Sequence, residues 1–387
     1  MVRYTYIVFF SIMLLVSFIS YKSTFNYNLL PTNALFELMV LLSIGLVAKR
    51  MPLSAWAIIA LSSVYIGYTL VVALQNGTHP VDYLLAFKAF VYLIFLSFFT
   101  GNKVLFNRET LISAFDFILI LFLMKYVIWI AIGDGFRPGV FAENNFEIML
   151  VLFWALTVWA LQGELSLKQW LLLTAVIFLS GSRSGVVSYF AVMSILLIRQ
   201  FDWKTLLKLG ILGIIGVGVV AVFISRLSDG NLNSIDRVVF FQGLLIAMRE
   251  WTFFDYLVGA PPLTELPDVV CQRMNYYKEL FSAKDPAICY SVILHSFIMR
   301  VVHDHGFIGL FFLFWATNLL MKRSFVPPRA RVGVLAVLFL NGLSVSSLNS
   351  VYALVGLIIL VAAPYADKLS FIEFLKKQKP DEVRAAT

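Results

Sequence analysis

Charged residues are scarce in this sequence. Asp, Glu, Lys and Arg make up only 13% of its 387 residues, whereas hydrophobic residues make up 60%. Together with a mean hydropathy of +0.88, this scarcity excludes a soluble globular protein of ordinary composition. Long apolar stretches can cross the hydrocarbon core of a membrane, about 30 Å thick, as helices but not as an open sheet, because only helices satisfy their own backbone polar groups. The composition therefore predicts an all-α, multi-pass membrane protein.

Motifs that mark energy-coupled or redox enzymes are also missing. The sequence contains no P-loop, no dinucleotide-binding glycine fingerprint, no G-x-S-x-G and no paired-cysteine metal motif. It also lacks a fixed-period repeat and the matching pair of Gly/Pro-broken spans that is typical of inverted-repeat transporters. A reaction driven by a nucleotide is therefore not expected. Any group-transfer reaction would need a donor that is already activated, and we expect no cofactor.

The apolar stretches predict a polytopic helix bundle of about twelve spans. We treat residues 1–387 as a single integral membrane domain, and we expect the first span to be retained because it lacks a small-residue cleavage site. The least regular pair forms a tight hairpin between Gly181 and Gly185. The predicted spans are 4–21, 34–48, 53–74, 82–100, 110–132, 146–162, 168–182, 184–199, 205–225, 304–321, 332–348 and 351–366.

Basic residues in the loops predict the orientation. With the N-terminus in the cytoplasm, most loop Lys and Arg residues lie on the inner side, as the positive-inside rule requires. Both termini are then expected in the cytoplasm, and anionic lipid heads explain the net charge of +8 without nucleic acid as a partner. The inner residues are Lys49, Arg50, Lys103, Arg108, Lys168, Arg199, Lys204, Lys208, Lys322, Arg323, Arg329, Arg331, Lys376, Lys377 and Lys379; the outer loops carry Lys22, Arg137 and Arg183.

One outer loop is much longer than the others. Residues 226–303, between the ninth and tenth spans, are expected to form a cap inserted within the membrane domain. The loop begins with an apparent amphipathic helix near 234–248, which we expect to lie on the membrane surface. It holds both cysteines of the chain, Cys271 and Cys289. On this topology the compartment is oxidising, so a disulfide is expected, with two unpaired thiols as the alternative.

Three of the four histidines fall in a short segment at the end of this loop. They are His295, His303 and His305, at the edge of the membrane, where ionisable groups are costly and often functional. His295 could accept a proton from a hydroxyl group as a neutral imidazole. The alternatives are an interfacial histidine bonded to a backbone carbonyl and a zinc site. A metal site is not expected, because His303 and His305 diverge around a helix and no carboxylate cluster adds further ligands.

Arginines collect on the same outer side, against the positive-inside rule. Arg183 stands among small residues in Ser180–Gly185, Arg237 opens the helix of the long loop, and Arg300 lies between the histidines. A guanidinium binds phosphate oxygens in a bidentate manner, so these residues predict an anionic partner outside the membrane. The alternative for Arg183 is a side chain that merely extends to the interface. Arg137, Glu143 and Asn145 lie in another outer loop and could bind sugar hydroxyls.

Two lysines lie inside predicted spans. Lys88 and Lys125 are six to eight residues from the outer ends of their spans, a distance that a lysine side chain can cover to reach the interface. The alternative is a cationic cavity that faces the same anion as the arginines. Asp116, near the inner end of its span, is expected to be structural.

Four of these segments resemble motifs of one known family. His295-Ser296, nine further residues and Gly306-x-x-Gly309 resemble the His-[Asn/Ser/Gln]-x9-Gly-x-x-Gly pattern of the O-antigen ligase and polymerase superfamily. The Ser180–Gly185 hairpin is similar to its Ser-x-[Ser/Thr]-Arg element, and 236–244 running on to 257–259 resembles its Arg-led helix. The loop 137–145 also resembles an outer loop of that family. The four segments agree in order and sidedness and cover most of residues 135–310.

The resemblance implies a GT-C-like glycosyltransferase of the bacterial inner membrane with its active site at the periplasmic face. Such enzymes take a glycan from undecaprenyl diphosphate without a metal. Polymerases pass it to another lipid-linked repeat unit, to build O-antigen, capsule or exopolysaccharide, and ligases pass it to lipid A–core. A glycolipid transporter is a further alternative. Lipid-linked donor and acceptor glycans, membrane lipids and a chain-length regulator are the partners it implies.

The resemblance also implies roles for the candidate residues. His295 would be the catalytic base, and Arg183 and Arg237 would hold the donor diphosphate. Arg300 and Lys88 are expected to assist in donor binding. Arg137, Glu143 and Asn145 are expected to bind the glycan. Cys271, Cys289 and the Asp304-His305 pair have no counterpart in the matched pattern.

Overall fold

The computed structural model describes residues 2–20, 27–47, 51–103, 105–132, 137–198, 210 and 236–365. Within these ranges every regular element is a helix. The predicted span 205–225, apart from residue 210, the start of the long loop and the C-terminal tail lie outside the described residues. The α-helices are α1 (Val2–Ser17), α2 (Thr32–Val47), α3 (Leu53–Gln75), α4 (Pro80–Phe99), α5 (Arg108–Ile132), α6 (Asn144–Gln162), α7 (Leu167–Leu179), α8 (Arg183–Leu197), α9 (Asp236–Ala247), α10 (Phe253–Val258), α11 (Asp268–Arg273), α12 (Phe297–Arg323), α13 (Pro328–Gly342) and α14 (Val351–Val361).

Five of the described helices are long and apolar enough to cross a membrane, namely α3, α4, α5, α6 and α12. Shorter apolar helices, α1, α2, α7, α8 and α14, lie where further spans are predicted. α13 occupies the place of the predicted span 332–348. The prediction of an all-helical chain with membrane-crossing helices is thus confirmed for the described residues, by length and composition. A total of about twelve spans and a GT-C-like architecture stay predictions.

α14 forms the centre of the bundle. Every one of its residues is buried, and it packs against α6, α2 and α4. A helix that is apolar on all sides is stable only when other helices or lipid surround it. At about 1.5 Å per residue, its 11 residues extend for only about 16 Å. The surrounding helices therefore shield α14, and α6 also packs against α8.

α12 starts earlier than predicted and is broken near its N-terminal end. It begins at Phe297, not at 304, because Ser296 caps it by accepting a hydrogen bond from the backbone NH of Met299. At Gly306 the backbone leaves helical geometry, with φ 63° and ψ −173°, a conformation open essentially only to glycine. The break accommodates α10, whose Leu257 carbonyl oxygen would lie 2.3 Å from a Cβ on Gly306.

The outer loop folds into a cap with its own small core. α9, α11 and the 3-10 helices Asn275–Leu280 and Ser291–Leu294 enclose a buried apolar cluster that includes Phe240, Leu244 and Met248. Leu244 and Met248, two apolar residues of the helix predicted near 234–248, fill this core and do not lie on a membrane surface. Phe241 and Leu245, on another side of α9, are exposed.

Candidate active site

His295 lies where the cap meets the bundle. It ends the 3-10 helix Ser291–Leu294 and has a left-handed backbone with φ 53°, which is unfavourable for a residue with a Cβ. Its imidazole is partly buried between two aromatic rings. The ring centroid lies 4.8 Å from that of Tyr277 and 5.5 Å from that of Phe240.

Hydrogen bonds from the bundle support this strained backbone. The carbonyl oxygen of His295 accepts a hydrogen bond of 3.2 Å from Ser346 Oγ, and Arg300 Nη1 donates to the same Ser346 Oγ at 2.9 Å. On the other side, Ser291 Oγ donates to the carboxylate of Asp304. The turn at His295 is thus linked to α12 on both sides, through Ser346 to Arg300 and through Ser291 to Asp304. The orientation of the turn is therefore set by tertiary contacts.

The guanidinium group of Arg300 therefore already donates hydrogen bonds to other residues of the protein. It is buried, and its Nη2 donates to the carbonyl oxygen of Leu85 at 2.7 Å, in addition to the contact with Ser346. Lys88 is engaged as well, since its Nζ lies 2.6 Å from Glu37 Oε1. Lys125 donates to the carbonyl oxygens of Ser17 and Ser20. These contacts explain how α5 and α12 accommodate buried cations and α4 a partly buried one, and donor binding by Arg300 and Lys88 stays a prediction.

The loop 137–143 is organised by a carboxylate that the sequence analysis did not single out. Glu147, buried in the first turns of α6, accepts hydrogen bonds from the backbone NH groups of Val140, Phe141 and Ala142 at 2.5–3.0 Å. Tyr126 donates to the same carboxylate at 3.3 Å. The sequence signal that could have identified Glu147 is an acidic residue in the first turn of an apolar span. Glu147 gives the loop 137–143 a fixed shape.

Asn145 joins this loop to the hairpin that carries Arg183. Its Nδ2 donates to Glu143 Oε1 at 2.6 Å, and its Oδ1 accepts from Ser182 Oγ at 2.6 Å and Ser184 Oγ at 3.2 Å. Asn145 is buried, so a sugar hydroxyl would have to compete with these partners. Arg183, the first residue of α8, lies between the two serines and is partly buried.

Arg137, within this loop, and Arg237, in α9, both act electrostatically on Glu143. Partial desolvation by neighbouring atoms raises the pKa of Glu143, although more than a third of the residue is exposed. The hydrogen bond from Asn145 opposes this rise. The positive charges of Arg137 and Arg237 also lower this pKa, so both guanidinium groups act on one carboxylate. Arg137 additionally packs on the hairpin, with its Cγ 3.7 Å from the position of a Cβ on Gly181.

α9 connects this cationic cluster to His295. Arg237 and Phe240 are three residues apart in α9 and therefore lie on adjacent turns of one face, and Phe240 is in ring contact with His295. Arg137, Glu143, the hairpin of Arg183, Arg237 and His295 thus converge at one end of the bundle. We call this group of residues the outer site, after the side of the membrane that the loop charges predict for it. Sequence reasoning missed Phe240 and Tyr277, whose aromatic side chains are common in any apolar segment.

The other two histidines point to different surroundings. His303 Nδ1 is 2.8 Å from Asp304 Oδ1, whereas His305 Nδ1 is 2.8 Å from the hydroxyl of Tyr65. His305 also lines a mostly apolar groove of about 300 Å³ between α3, α4 and α12. Among the residues that the structure describes, no group of three His, Cys, Asp or Glu side chains is arranged to hold a metal ion.

Cys271 and Cys289 form a disulfide within the cap, with their Cα atoms 5.7 Å apart. Replacing both cysteines by serine should destabilise the cap by about 3 kcal/mol, because the bond closes a loop with a sequence separation of 18 residues. Limited proteolysis of purified protein should then cut the cap faster than in the wild type. Mass mapping of unreduced peptides should find the two cysteines linked, and alkylation of both thiols in oxidised membranes would contradict the assignment.

No protein-family model and no curated protein matches this chain.

Proposed function

We propose that this protein is a polysaccharide polymerase of the bacterial inner membrane. It would transfer a glycan from undecaprenyl diphosphate to a lipid-linked repeat unit at the periplasmic face. The observation that carries the proposal is the convergence of the outer site. Three arginine-bearing segments that are distant in sequence lie at the same end of an apolar helix bundle as His295, and one of them, α9, contacts this histidine through Phe240. The resemblance of those segments to O-antigen ligase and polymerase motifs supports the same conclusion.

The proposed chemistry is a single displacement at the anomeric carbon. The acceptor hydroxyl attacks this carbon, the bond from the carbon to the diphosphate oxygen breaks, and undecaprenyl diphosphate leaves with both bonding electrons. His295 takes the proton of the attacking hydroxyl. Attack opposite the leaving group inverts the anomeric configuration, and no covalent enzyme intermediate is needed.

A diphosphate leaving group needs charge stabilisation more than protonation. Arg183 and Arg237, in this proposal, bind its oxygens through paired N–H donors that are already in place before the reaction. Arg137 and Glu143 would contact sugar hydroxyls nearby. The apolar groove beside His305 has the chemistry to hold part of the prenyl chain, since it is lined by Leu61, Phe90 and Phe312 among others.

The orientation belongs to the same proposal. Both termini would lie in the cytoplasm, and the cap and outer site would face the periplasm, as the distribution of Lys and Arg predicts. Donor and acceptor glycans are then reached from outside, where lipid-linked repeat units accumulate after translocation. A chain-length regulator would be a further partner in the membrane.

Donor binding by the arginines gives the direct test of this function. Arg183→Ala and Arg237→Ala should each weaken binding of undecaprenyl diphosphate about 10- to 100-fold, because charge-assisted hydrogen bonds contribute about 1.5–3 kcal/mol each. Arg→Lys at either position should be intermediate, since it keeps the charge but loses the paired donors. Binding is measured on purified protein in detergent, and transfer is measured with a lipid-linked oligosaccharide as donor.

Arg249→Ala is the matched control, because Arg249 is an exposed arginine just beyond the other end of α9. It should bind and transfer as the wild type does. The assay is run with a lipid-linked repeat unit and, separately, with lipid A–core as acceptor, so that ligase activity would be detected. Wild-type donor binding in both alanine variants would contradict the proposed function.

A further inference from the structure

The cap contains an open cleft that the outer site does not use. It has a volume of about 530 Å³, within the range of about 300–1,000 Å³ typical of small-molecule sites. One wall is formed by α11 and the 3-10 helix that follows it, with Asp268, Gln272, Asn275 and Lys278. The other wall is formed by Pro286 and Ala287.

The lining has the chemistry of a carbohydrate site. The carboxylate of Asp268, the amides of Gln272 and Asn275 and the ammonium group of Lys278 are exposed and offer both donors and acceptors to hydroxyl groups. Phe281 adds an apolar, half-buried surface to the same cleft. The exposed ring of Tyr276 belongs to the 3-10 helix Asn275–Leu280 of the first wall, next to the cleft lining. A mixture of polar side chains around an aromatic surface suits the two faces of a sugar ring.

A single short helix connects this cleft to His295. The 3-10 segment Asn275–Leu280 is kinked at Tyr277, and Asn275 and Lys278, on either side of the kink, both line the cleft. Tyr277, at the kink itself, is the residue whose ring contacts His295. The cleft therefore lies directly behind one aromatic wall of the proposed catalytic histidine.

The disulfide holds the two walls together. Cys271 lies in α11 on the first wall and lines the cleft, and Cys289 follows the segment that carries Pro286 and Ala287 on the second. The backbone NH of Leu266 donates to the carbonyl oxygen of Cys289 at 2.9 Å, just before α11. The second wall is also tied to the bundle, because Asp82 of α4 accepts hydrogen bonds from Ser282 Oγ and from the backbone NH of Ala283. The disulfide and this contact together set the width of the cleft.

We propose that this cap cleft binds sugar residues of the acceptor glycan, while the terminal sugar presents its hydroxyl to His295. This inference rests on the proposed function for the identity of the glycan as an acceptor. The cleft supplies an acceptor subsite in the cap, separate from the arginines that hold the donor diphosphate. Its occupancy would orient the acceptor and help to retain a growing chain.

The test uses full-length protein in detergent and a soluble probe, the oligosaccharide released by mild acid from the host's own lipid-linked glycan. The double variant Gln272→Ala/Asn275→Ala should bind this oligosaccharide at least about tenfold more weakly, as expected for the loss of one to two hydrogen bonds. Its KM for the lipid-linked acceptor should rise by a similar factor while kcat changes little. Binding is measured by calorimetry, and the intact disulfide is verified by mass mapping.

The control is Glu279→Ala, an exposed residue of the same 3-10 helix that does not line the cleft. It should bind the oligosaccharide as the wild type does. Absence of binding to the wild type, equal binding by the double variant, or an equal loss in the control would each overturn the proposal. Oligosaccharide binding requires no donor and no transfer, so failure of the arginine test would refute the proposed function without changing this result.

Discussion

Replacing His295 by alanine should lower glycan transfer by about 10²- to 10⁴-fold, the contribution typical of a general base. Binding of undecaprenyl diphosphate should stay within about twofold of the wild type, because in the proposed mechanism the arginines and not the imidazole hold the donor. Raising the pH should not restore the rate, since a sugar hydroxyl stays protonated at any pH the protein tolerates. Transfer from a purified lipid-linked oligosaccharide, at matched protein levels, measures the effect.

His303→Ala is the informative comparison. His303 lies on α12 and pairs with Asp304, so its loss should affect folding of the cap junction more than chemistry. If the histidines instead held a metal, chelator treatment of the wild type would abolish transfer, and His303→Ala and His305→Ala would be as damaging as His295→Ala. Near-normal transfer by His295→Ala would refute the proposed mechanism.

Gly306→Ala should be the most destabilising single methyl addition near the site. A Cβ at this position would lie 2.3 Å from the carbonyl oxygen of Leu257 and 2.6 Å from the backbone nitrogen of Gly259. Both obstacles are backbone atoms, which cannot rotate away as a side chain could. The positive φ of 63° adds conformational strain. We expect the apparent melting temperature in detergent to fall by about 5 °C or more.

Gly67→Ala provides the matched glycine control. Gly67 lies within α3, and a Cβ placed on it would meet no atom within 4 Å. Because alanine is a better helix former than glycine, this variant should be neutral or slightly stabilised. Melting is followed by the loss of monodisperse protein on heating. Equal melting temperatures for Gly306→Ala and the wild type would show that α10 does not require the break in α12.

The contact between Gly259 and Gly306 explains why glycine occurs in two of the segments that resemble the O-antigen ligase and polymerase motifs. A Cβ on Gly259 would lie 2.5 Å from the backbone nitrogen of His305, so the two glycines pack directly against each other. In the sequence they belong to two separate segments of the family resemblance. In the structure they are one contact, which brings α10 against α12 near the cap. Glycine is therefore required at both positions by close backbone packing and not by chemistry at the glycines.

The sequence by itself determined the helical class and the positions of the apolar segments. These properties follow from local composition, since a helix satisfies its own backbone hydrogen bonds and its apolar length can be read residue by residue. The positions of α3, α4, α5 and α6 agree closely with the predicted spans. The pairing of Cys271 with Cys289 was also predictable, because the sequence contains only two cysteines.

Only the tertiary structure decided how the candidate residues are used. Arg300 and Lys88 looked equivalent to Arg237 in sequence, yet Arg300 bonds to Ser346 and Lys88 pairs with Glu37. Glu147, which the sequence analysis did not single out, shapes the loop 137–143 through backbone hydrogen bonds. The left-handed backbone of His295 depends on Ser346, far along the chain. Such roles are set by partners distant in sequence, because a buried polar group must find a hydrogen-bond partner wherever the packing places one.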